Sequence, residues 1–500
     1  MGEIALRIAW ALTSLLKKFS EKIMTEEIVV RPPQPICSAE TAIAALSSED
    51  DGIRYYAAWW LGKHRVQDAC EALCEALKDE RDRTALGGYP LRRQAARSLG
   101  LLKNSLAVPA LIEVLECPDL RLQEAAIHAL ATIEDRAAIP GLLALFDLEG
   151  EIAAEALLEA LATFEVWEAR LQVEKFYSHP SERVQCAAAR YLYALTREST
   201  YLQKLLQTLE HENHFLRWAA TFDLGGLGLL EVAPALIKAF VPNSIKLLNL
   251  KRILERLLQN EAIAEVQRQK ESDFLFDSID GLLIELESST RNALDASTRL
   301  EVSEESIREM RSLEALVIAQ QDETGGTQDE SVSPVAALIA ALRSKHPKVR
   351  AAAIDGLVEL APATVKPLIE AYESSNDHGY QACLIQAIAR IGDPRALELL
   401  QDVVGVEIAN HCQGNVRRVA ALGLGRIGRQ APGSKASQLA LKKLDWALRM
   451  PEDWALRYSA AVSLEEIGST ESMFVLQTAA NSEIDLVVQT RIARALAAIL

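Results

Sequence analysis

Apolar and polar positions along this chain cycle with helical rather than extended spacing. In one stretch Ala125, Ala126, Ala129, Leu130 and Ile133 fall at the three- and four-residue steps that line one face of an α-helix. The same succession of a polar start, an Ala/Leu stripe and a glycine-type stop recurs at Leu91–Gly100, Leu216–Gly225, Val349–Leu360, Val416–Gly428 and Leu456–Gly468. Anchored seven positions before the last large apolar residue, the copies fall at Arg54, Arg92, Gln123, Ala154, Gln185 and Arg217, spaced 38, 31, 31, 31 and 32 residues apart. A second series, Arg350, Gln381, Arg417, Arg457 and Gln489, is spaced 31, 36, 40 and 32. A period near 31 is the length of two short helices and two turns. Pro109, Pro140, Pro234 and Pro367 sit where the intervening helices begin; there the missing proline N–H would have no partner anyway. No stretch sustains two-residue alternation. The pattern therefore predicts an all-α chain, an α/α superhelical solenoid of stacked hairpins with next to no strand.

The two series divide the chain into an N-terminal extension (1–37), a first array (38–286), an acidic polar linker (287–333) with Gly325-Gly326, and a second array (334–500). The three longest spacings predict inserted loops at Asp82–Pro90, Asn410–Asn415 and Ala431–Ser437, and solenoids carry function on such insertions. Composition adds exclusions. A formal charge of -17 and a pI near 5.1 argue against a nucleic-acid partner. Seven irregularly spaced cysteines read as reduced thiols of a cytoplasmic protein, with Cys70 and Cys74 expected in the core rather than on zinc. Ile4–Leu16 is apolar but interrupted by Arg7 and too short to cross a bilayer, so no membrane insertion is expected.

Candidate chemistry is sparse. Gly423, Gly425 and Gly428 spell a dinucleotide fingerprint, but no strand precedes them; Gly428 reads as a helix stop and the other two as close-packing points. His211-Glu212 is the single His-Glu dyad, too few for a dyad-based di-iron centre, and no metal is expected. Tyr55, Tyr56, Trp59 and Trp60 crowd into six residues of a chain that is only 5% aromatic. Helical spacing stacks Tyr55 on Trp59 and Tyr56 on Trp60. This suits repeat packing, or a flat platform for a conjugated ligand. Asn410-His411-Cys412-Gln413-Gly414-Asn415 gathers an imidazole, a thiol and amides, either as a polar turn or as acid/base and thiol chemistry beside a ligand. The arginines at the anchor position read as a ladder tying adjacent repeats, and the doubled Arg92-Arg93 and Arg417-Arg418 as that or as carboxylate clamps.

Three of these segments carry a resemblance. Ile53–Gly62 and Asp82–Arg93 resemble the E-type subunit, and Asn410–Asn415 resembles the isomerising F-type subunit, of the E/F phycobilin lyase family, whose repeats are HEAT-like. Both halves in one chain resemble the fused phycourobilin lyase-isomerase members of that family, which are related to the phycoerythrocyanin α-subunit lyase-isomerase pair. The resemblance implies an enzyme that joins phycoerythrobilin, an open-chain tetrapyrrole, to a cysteine of a phycocyanin-like α subunit. It also implies a double-bond shift from the 4,5 to the 2,3 position, giving phycourobilin. His411 and Cys412 are then the expected catalytic pair. Tyr55, Tyr56, Trp59, Trp60, Arg92, Arg93, Asn410, Gln413, Asn415 and Arg417 are the expected bilin-binding residues. The bilin is substrate, so no cofactor is expected, and the setting is the cyanobacterial cytoplasm near phycobilisomes. Competing expectations are a lyase without isomerase activity, conversion of phycocyanobilin to phycoviolobilin, and a non-enzymatic phycobiliprotein scaffold or chaperone.

Overall fold

The computed structural model describes residues 36–148, 150–284, 333–405, 411–450 and 453–499. These are helical throughout, joined by turns and short 3-10 segments, with no strand among the described residues. They fall into two compact units, Met1–Val166 and Trp167–Leu500. The extension and the linker expected at 1–37 and 287–333 lie almost wholly outside the described residues.

In the first unit each repeat is a short helix followed by a longer one: α1 (Ala39–Ala45) and α2 (Asp51–Lys63), α3 (Cys70–Ala76) and α4 (Pro90–Leu102), α5 (Val108–Glu113) and α6 (Leu120–Ile133), α7 (Ile139–Ala144) and α8 (Ala154–Thr163). The second unit continues with α9 (Arg170–Phe176) and α10 (Glu182–Thr196), α11 (Ser199–Thr208) and α12 (His214–Leu227), α13 (Ala233–Lys238) and α14 (Asn243–Gln259), then a lone long helix α15 (Glu265–Ile284). Its remaining hairpins are α16 (Pro334–Ala341) and α17 (Pro347–Glu359), α18 (Val365–Glu373) and α19 (His378–Ile391), α20 (Leu397–Gly405) and α21 (His411–Gln430), α22 (Lys435–Leu448) and α23 (Trp454–Ile467), α24 (Thr470–Ala480) and α25 (Leu486–Ile499).

Local chemistry explains the element boundaries. Asp50, Asp119, Asn213, Asp377 and Asp453 cap second helices by accepting first-turn backbone N–H groups. Pro109, Pro140 and Pro234 occupy the first turns of α5, α7 and α13. Gly228, Gly392 and Gly468 end α12, α19 and α23 in the left-handed conformation that glycine adopts without penalty. Gly100, Gly225 and Gly428, expected as stops, lie inside helices instead. A Cβ on Gly428 would sit 2.6 Å from Ile467, and one on Gly425 2.8 Å from the Cα of Ser463. These glycines, with Gly423 against Ala389, are the contact points of adjacent second helices. Of the insertion expected at Asn410–Asn415, the described residues from His411 on already belong to α21, whereas at Ala431–Ser437 a short turn over 431–434 separates α21 from α22.

The anchor ladder has a definite job. Arg54 donates to the carbonyls of Ser48 and Glu49 (2.8 and 3.2 Å), Arg217 to His211 and Glu212 (2.6 and 2.9 Å), Arg350 to Ser344 (2.8 Å) and Arg457 to Met450 (2.8 Å). Gln123, Gln185 and Gln381 do the same at Leu115, His179 and Ser375. Each side chain thus satisfies carbonyls left open just after the first helix of its own hairpin. Several reach further: Arg217 also donates to Phe240, and Gln123 also accepts from the Ala153 N–H, joining the next repeat. Lys246 is a copy that the sequence series lacks. It is buried and donates to the Ile237 carbonyl at 2.6 Å.

In the second unit one hydrophobic core runs from Cys186 to Ala495. It includes Leu250, Leu254, Phe276 and Leu283 of α14 and α15 together with Leu384, Leu424, Leu464 and Ile492 of the later helices. The last helices of the first array are therefore built into the core of the second, which is why the unit boundary falls within the stretch 38–286.

Candidate functional site

The aromatic segment lies on α2 in the first unit. Asp50 caps this helix, and its inward face buries Arg54, Ala57, Ala58, Leu61 and Gly62. Gly62 lets α4 approach so closely that a Cβ there would come 2.8 Å from the Cα of Ser98. The Ser98 hydroxyl donates to the Ala58 carbonyl at 2.7 Å, fixing the crossing. With that face committed, Tyr55, Tyr56 and Trp59 turn outward and are 40, 48 and 37% exposed. Three large aromatics are thus held outward on one helix. The ring pairs differ from those expected. Tyr56 packs on Trp59 with centroids 5.3 Å apart, and half-buried Trp60 lies on His64 at 4.0 Å. Lys63 places its ammonium 5.0 Å above the Trp59 ring.

Arg92 and Arg93 have other partners. Arg93 makes a two-pronged ion pair with Asp119, Nε and Nη2 each at 2.8 Å. The same carboxylate accepts from the Tyr89 N–H and caps α6 through Arg121 and Leu122. Burial pushes the Asp119 carboxyl up, but the Arg93 and backbone donors outweigh it and hold it below the usual carboxylate range. Arg92 is buried, lies over the Tyr89 ring at 4.5 Å and pairs with Glu80 at 3.5 Å. The second unit repeats the arrangement: Arg418 pairs at 3.0 Å with Asp453, the cap of α23, and buried Arg417 donates to the Val404 carbonyl at 2.9 Å. Arg92, Arg93 and Arg418 hold the scaffold through carboxylates of the chain itself, and Arg417 through a backbone carbonyl.

Of the histidine–cysteine motif, Asn410 lies outside the described residues. His411, Cys412 and Gln413 form the first turn of α21, and their side chains also lie outside what is described. Gly414 is buried, and Asn415 accepts from Arg418 at 3.0 Å. Asn415, Arg418 and Val419 line a small cavity of about 10 Å³ whose other wall is Asn243 and Leu247 of α14 and Leu282 and Leu283 of α15. That is room for about one water molecule and not for a ring of a larger ligand. Asn243 and Arg418 gave no sign of this in the sequence, because the cavity forms only where the first array meets the second.

That junction is strongly polar. Buried Tyr458 of α23 donates to Asp280 of α15 at 2.6 Å. Arg491 of α25 bridges Asp280 (3.3 Å) and Glu465 (2.5 Å), Arg494 pairs with Asp273, and Lys251 of α14 pairs with Asp485 at 3.0 Å. Burial raises the Asp280 carboxyl above its ordinary range against the pull of Arg491, and drives the Tyr458 hydroxyl well up. Among the described residues no group of three His, Cys, Asp or Glu side chains could hold a metal ion, and no helix is long and apolar enough to cross a membrane.

The pattern for HEAT repeats matches residues 89–162, 335–407 and 405–497, and that for the PBS lyase HEAT-like repeat matches 53–79 and 216–241. The bilin biosynthesis protein PecE of Nostoc sp. (strain PCC 7120) is 58% identical over 254 residues, which are 51% of this chain and 99% of that protein. PecF, a bilin biosynthesis protein of the same organism, is 51% identical over 166 residues, 33% of this chain and 96% of PecF. The phycocyanobilin lyase subunit alpha of that organism is 46% identical over 245 residues, 46% of this chain and 88% of that subunit. The class is thus that of HEAT-repeat proteins. Within it, the chain belongs to the E/F-type phycobilin lyase family.

Proposed function

We propose that this chain is a fused lyase-isomerase that joins phycoerythrobilin to a cysteine of a phycocyanin-like α subunit and converts it to phycourobilin. The observation that carries the proposal is that one chain matches nearly the full lengths of both PecE and PecF. The matched stretches, 254 and 166 residues, have the sizes of the arrays 38–286 and 334–500. In this reading the lyase step forms a carbon–sulfur bond between the acceptor thiol and the A-ring side chain of the bilin, the thiol proton passing to carbon. The isomerase step removes a proton from one ring carbon and delivers one to another. His411 acts as the acid/base, and Cys412 either adds reversibly to the bilin or serves as its proton partner. The bilin-binding residues in this reading are Tyr55, Tyr56, Trp59 and Trp60 of the aromatic segment and Asn410, Gln413 and Asn415 of the histidine–cysteine motif. Arg92, Arg93 and Arg417 contribute indirectly, by holding the helices that carry these segments. Holding pigment and acceptor together supplies a large share of the rate enhancement. The enzyme works on cytoplasmic phycobiliproteins.

Co-expression with a phycocyanin α subunit and a phycoerythrobilin supply tests this. The acid-denatured subunit is expected to carry covalent pigment absorbing to the blue of the unisomerised adduct. An adduct of unshifted colour refutes the isomerase step, and an uncoloured subunit refutes the lyase. Replacing His411 or Cys412 is expected to abolish the shift while attachment persists.

A further inference from the structure

The second helices of the first unit present one solvent-facing strip, read one, five and nine positions past each anchor. It comprises Tyr55, Trp59 and Lys63 on α2; Arg93, Arg97 and Leu101 on α4; Glu124, His128 and Thr132 on α6; and Glu155, Glu159 and Thr163 on α8. Its character changes along the array, from aromatic and basic on α2 and α4 to acidic on α6 and α8. An anion is therefore drawn to one end only. At that end Arg93 is held by Asp119, and Arg92 lies buried against Tyr89 and Glu80. Arg97 differs from both: it is exposed and has no hydrogen bond, ion pair or ring contact among the described residues. It holds the register that Trp59 holds one repeat earlier. The residues beside them, Ser98 and Ala58, are hydrogen-bonded at 2.7 Å, so Arg97 and Trp59 leave neighbouring helices next to their crossing.

We propose that Arg97 is the carboxylate anchor of the aromatic platform: its guanidinium binds a propionate of the open-chain tetrapyrrole whose rings lie on Tyr55, Tyr56 and Trp59. Lys63, already over the Trp59 ring, supplies the second positive charge. A flat conjugated dicarboxylate fits this surface by both its parts, aromatic faces for the rings and a free fork of N–H donors for the acid. The inference rests on the bilin reading above and adds to it a residue for which the sequence gave no motif.

The test titrates the full chain with free phycoerythrobilin and with its dimethyl ester, following the absorbance change, for wild type, Arg97→Ala, Arg97→Lys and the control Arg121→Ala. Circular dichroism establishes that each variant is folded. Arg97→Ala is expected to weaken binding of the free acid about ten-fold, the scale of one charge-assisted hydrogen bond at an accessible site. Arg97→Lys restores part of it, and Arg121→Ala changes nothing. Esterification is expected to cost wild type a similar factor and Arg97→Ala little further. If Arg97→Ala binds acid and ester as wild type does, the anchor is refuted while the lyase-isomerase reading survives. If Arg97→Ala keeps bilin affinity but loses the α subunit, the residue serves a protein acid group and the proposal falls. If wild type neither binds bilin nor colours the subunit in co-expression, the reading beneath it falls as well.

Discussion

Replacing Asp119 with alanine tests how the scaffold beneath the aromatic platform is held. Its carboxylate accepts from Arg93 twice (2.8 and 2.8 Å), from the Tyr89 N–H (3.1 Å) and from Arg121 and Leu122 at the start of α6 (3.0 and 3.3 Å). Loss of the cap alone costs about 1 kcal/mol. Leaving a buried charge without its partner costs about 3–5 kcal/mol. Here Arg93 remains 24% exposed and regains some water, so about 2 kcal/mol is the appropriate share. The stranded Tyr89 N–H adds about 1 kcal/mol. These contributions overlap, and the expected loss is about 3–4 kcal/mol, localised at the junction of α4 and α6. Asp119→Asn keeps the cap oxygen and is expected to lose about half as much. Asp119→Ala with Arg93→Leu is expected to recover stability relative to Asp119→Ala alone, because no cation is left unpaired. Hydrogen exchange by mass spectrometry on peptides covering 85–126 reads this directly. The sign with pH follows from the lowered carboxyl: its stabilisation is complete above the ordinary carboxylate range and is lost as pH falls through the depressed value. The junction is therefore expected to hold down to the ordinary carboxylate range and to open only on acidification below it. Unchanged protection in Asp119→Ala, or a double variant weaker than the single one, would refute the assignment of Arg93 to the scaffold.

Three further outcomes follow from the same structure. Tyr458→Phe removes the donor to Asp280 and is expected to cost about 1–3 kcal/mol at the array junction, seen as faster exchange in α15 with α2 unaffected. Because burial raises the Asp280 carboxyl, that junction is expected to be firmest below the ordinary carboxylate range and to weaken as pH rises toward the raised value; Asp280→Asn should flatten this slope in urea unfolding. Cys74, pushed to about 12 chiefly by burial, is expected to alkylate far more slowly at mildly basic pH than exposed Cys37, measured by peptide mass spectrometry.

Much of the fold was legible because a helix facing a core on one side must repeat its apolar residues at helical spacing, and a stack of hairpins must repeat the whole unit. The anchors from Arg54 to Arg457 could be found by eye for that reason. Lys246 escaped because the job is to reach a carbonyl, and a lysine does so without resembling its arginine and glutamine counterparts. Gly428 was misread because a glycine that ends a helix and one that admits a neighbouring helix are the same letter; only the position of Ile467 separates them. The site was less legible still. The clustered tyrosines and tryptophans suit repeat packing or a platform alike, and which ring lies on which depends on rotamers, not spacing. Arg93 looked available until Asp119, in the next repeat, was seen to hold it. Arg97 attracted no notice because nothing beside it in the sequence marks it.

The Asp280 cluster also constrains how this protein is made. Its partner Arg491 lies 211 residues further along the chain. At the usual pace of about 5–20 residues per second, roughly ten seconds or more of translation separate the two. Throughout that interval α15 has emerged with its carboxylate unmatched and with Phe276 and Leu283 lacking the helices that cover them. The nascent chain is thus exposed to aggregation in mid-synthesis, and a holding chaperone or slowed growth before α16 would influence yield more than any change to the finished surface.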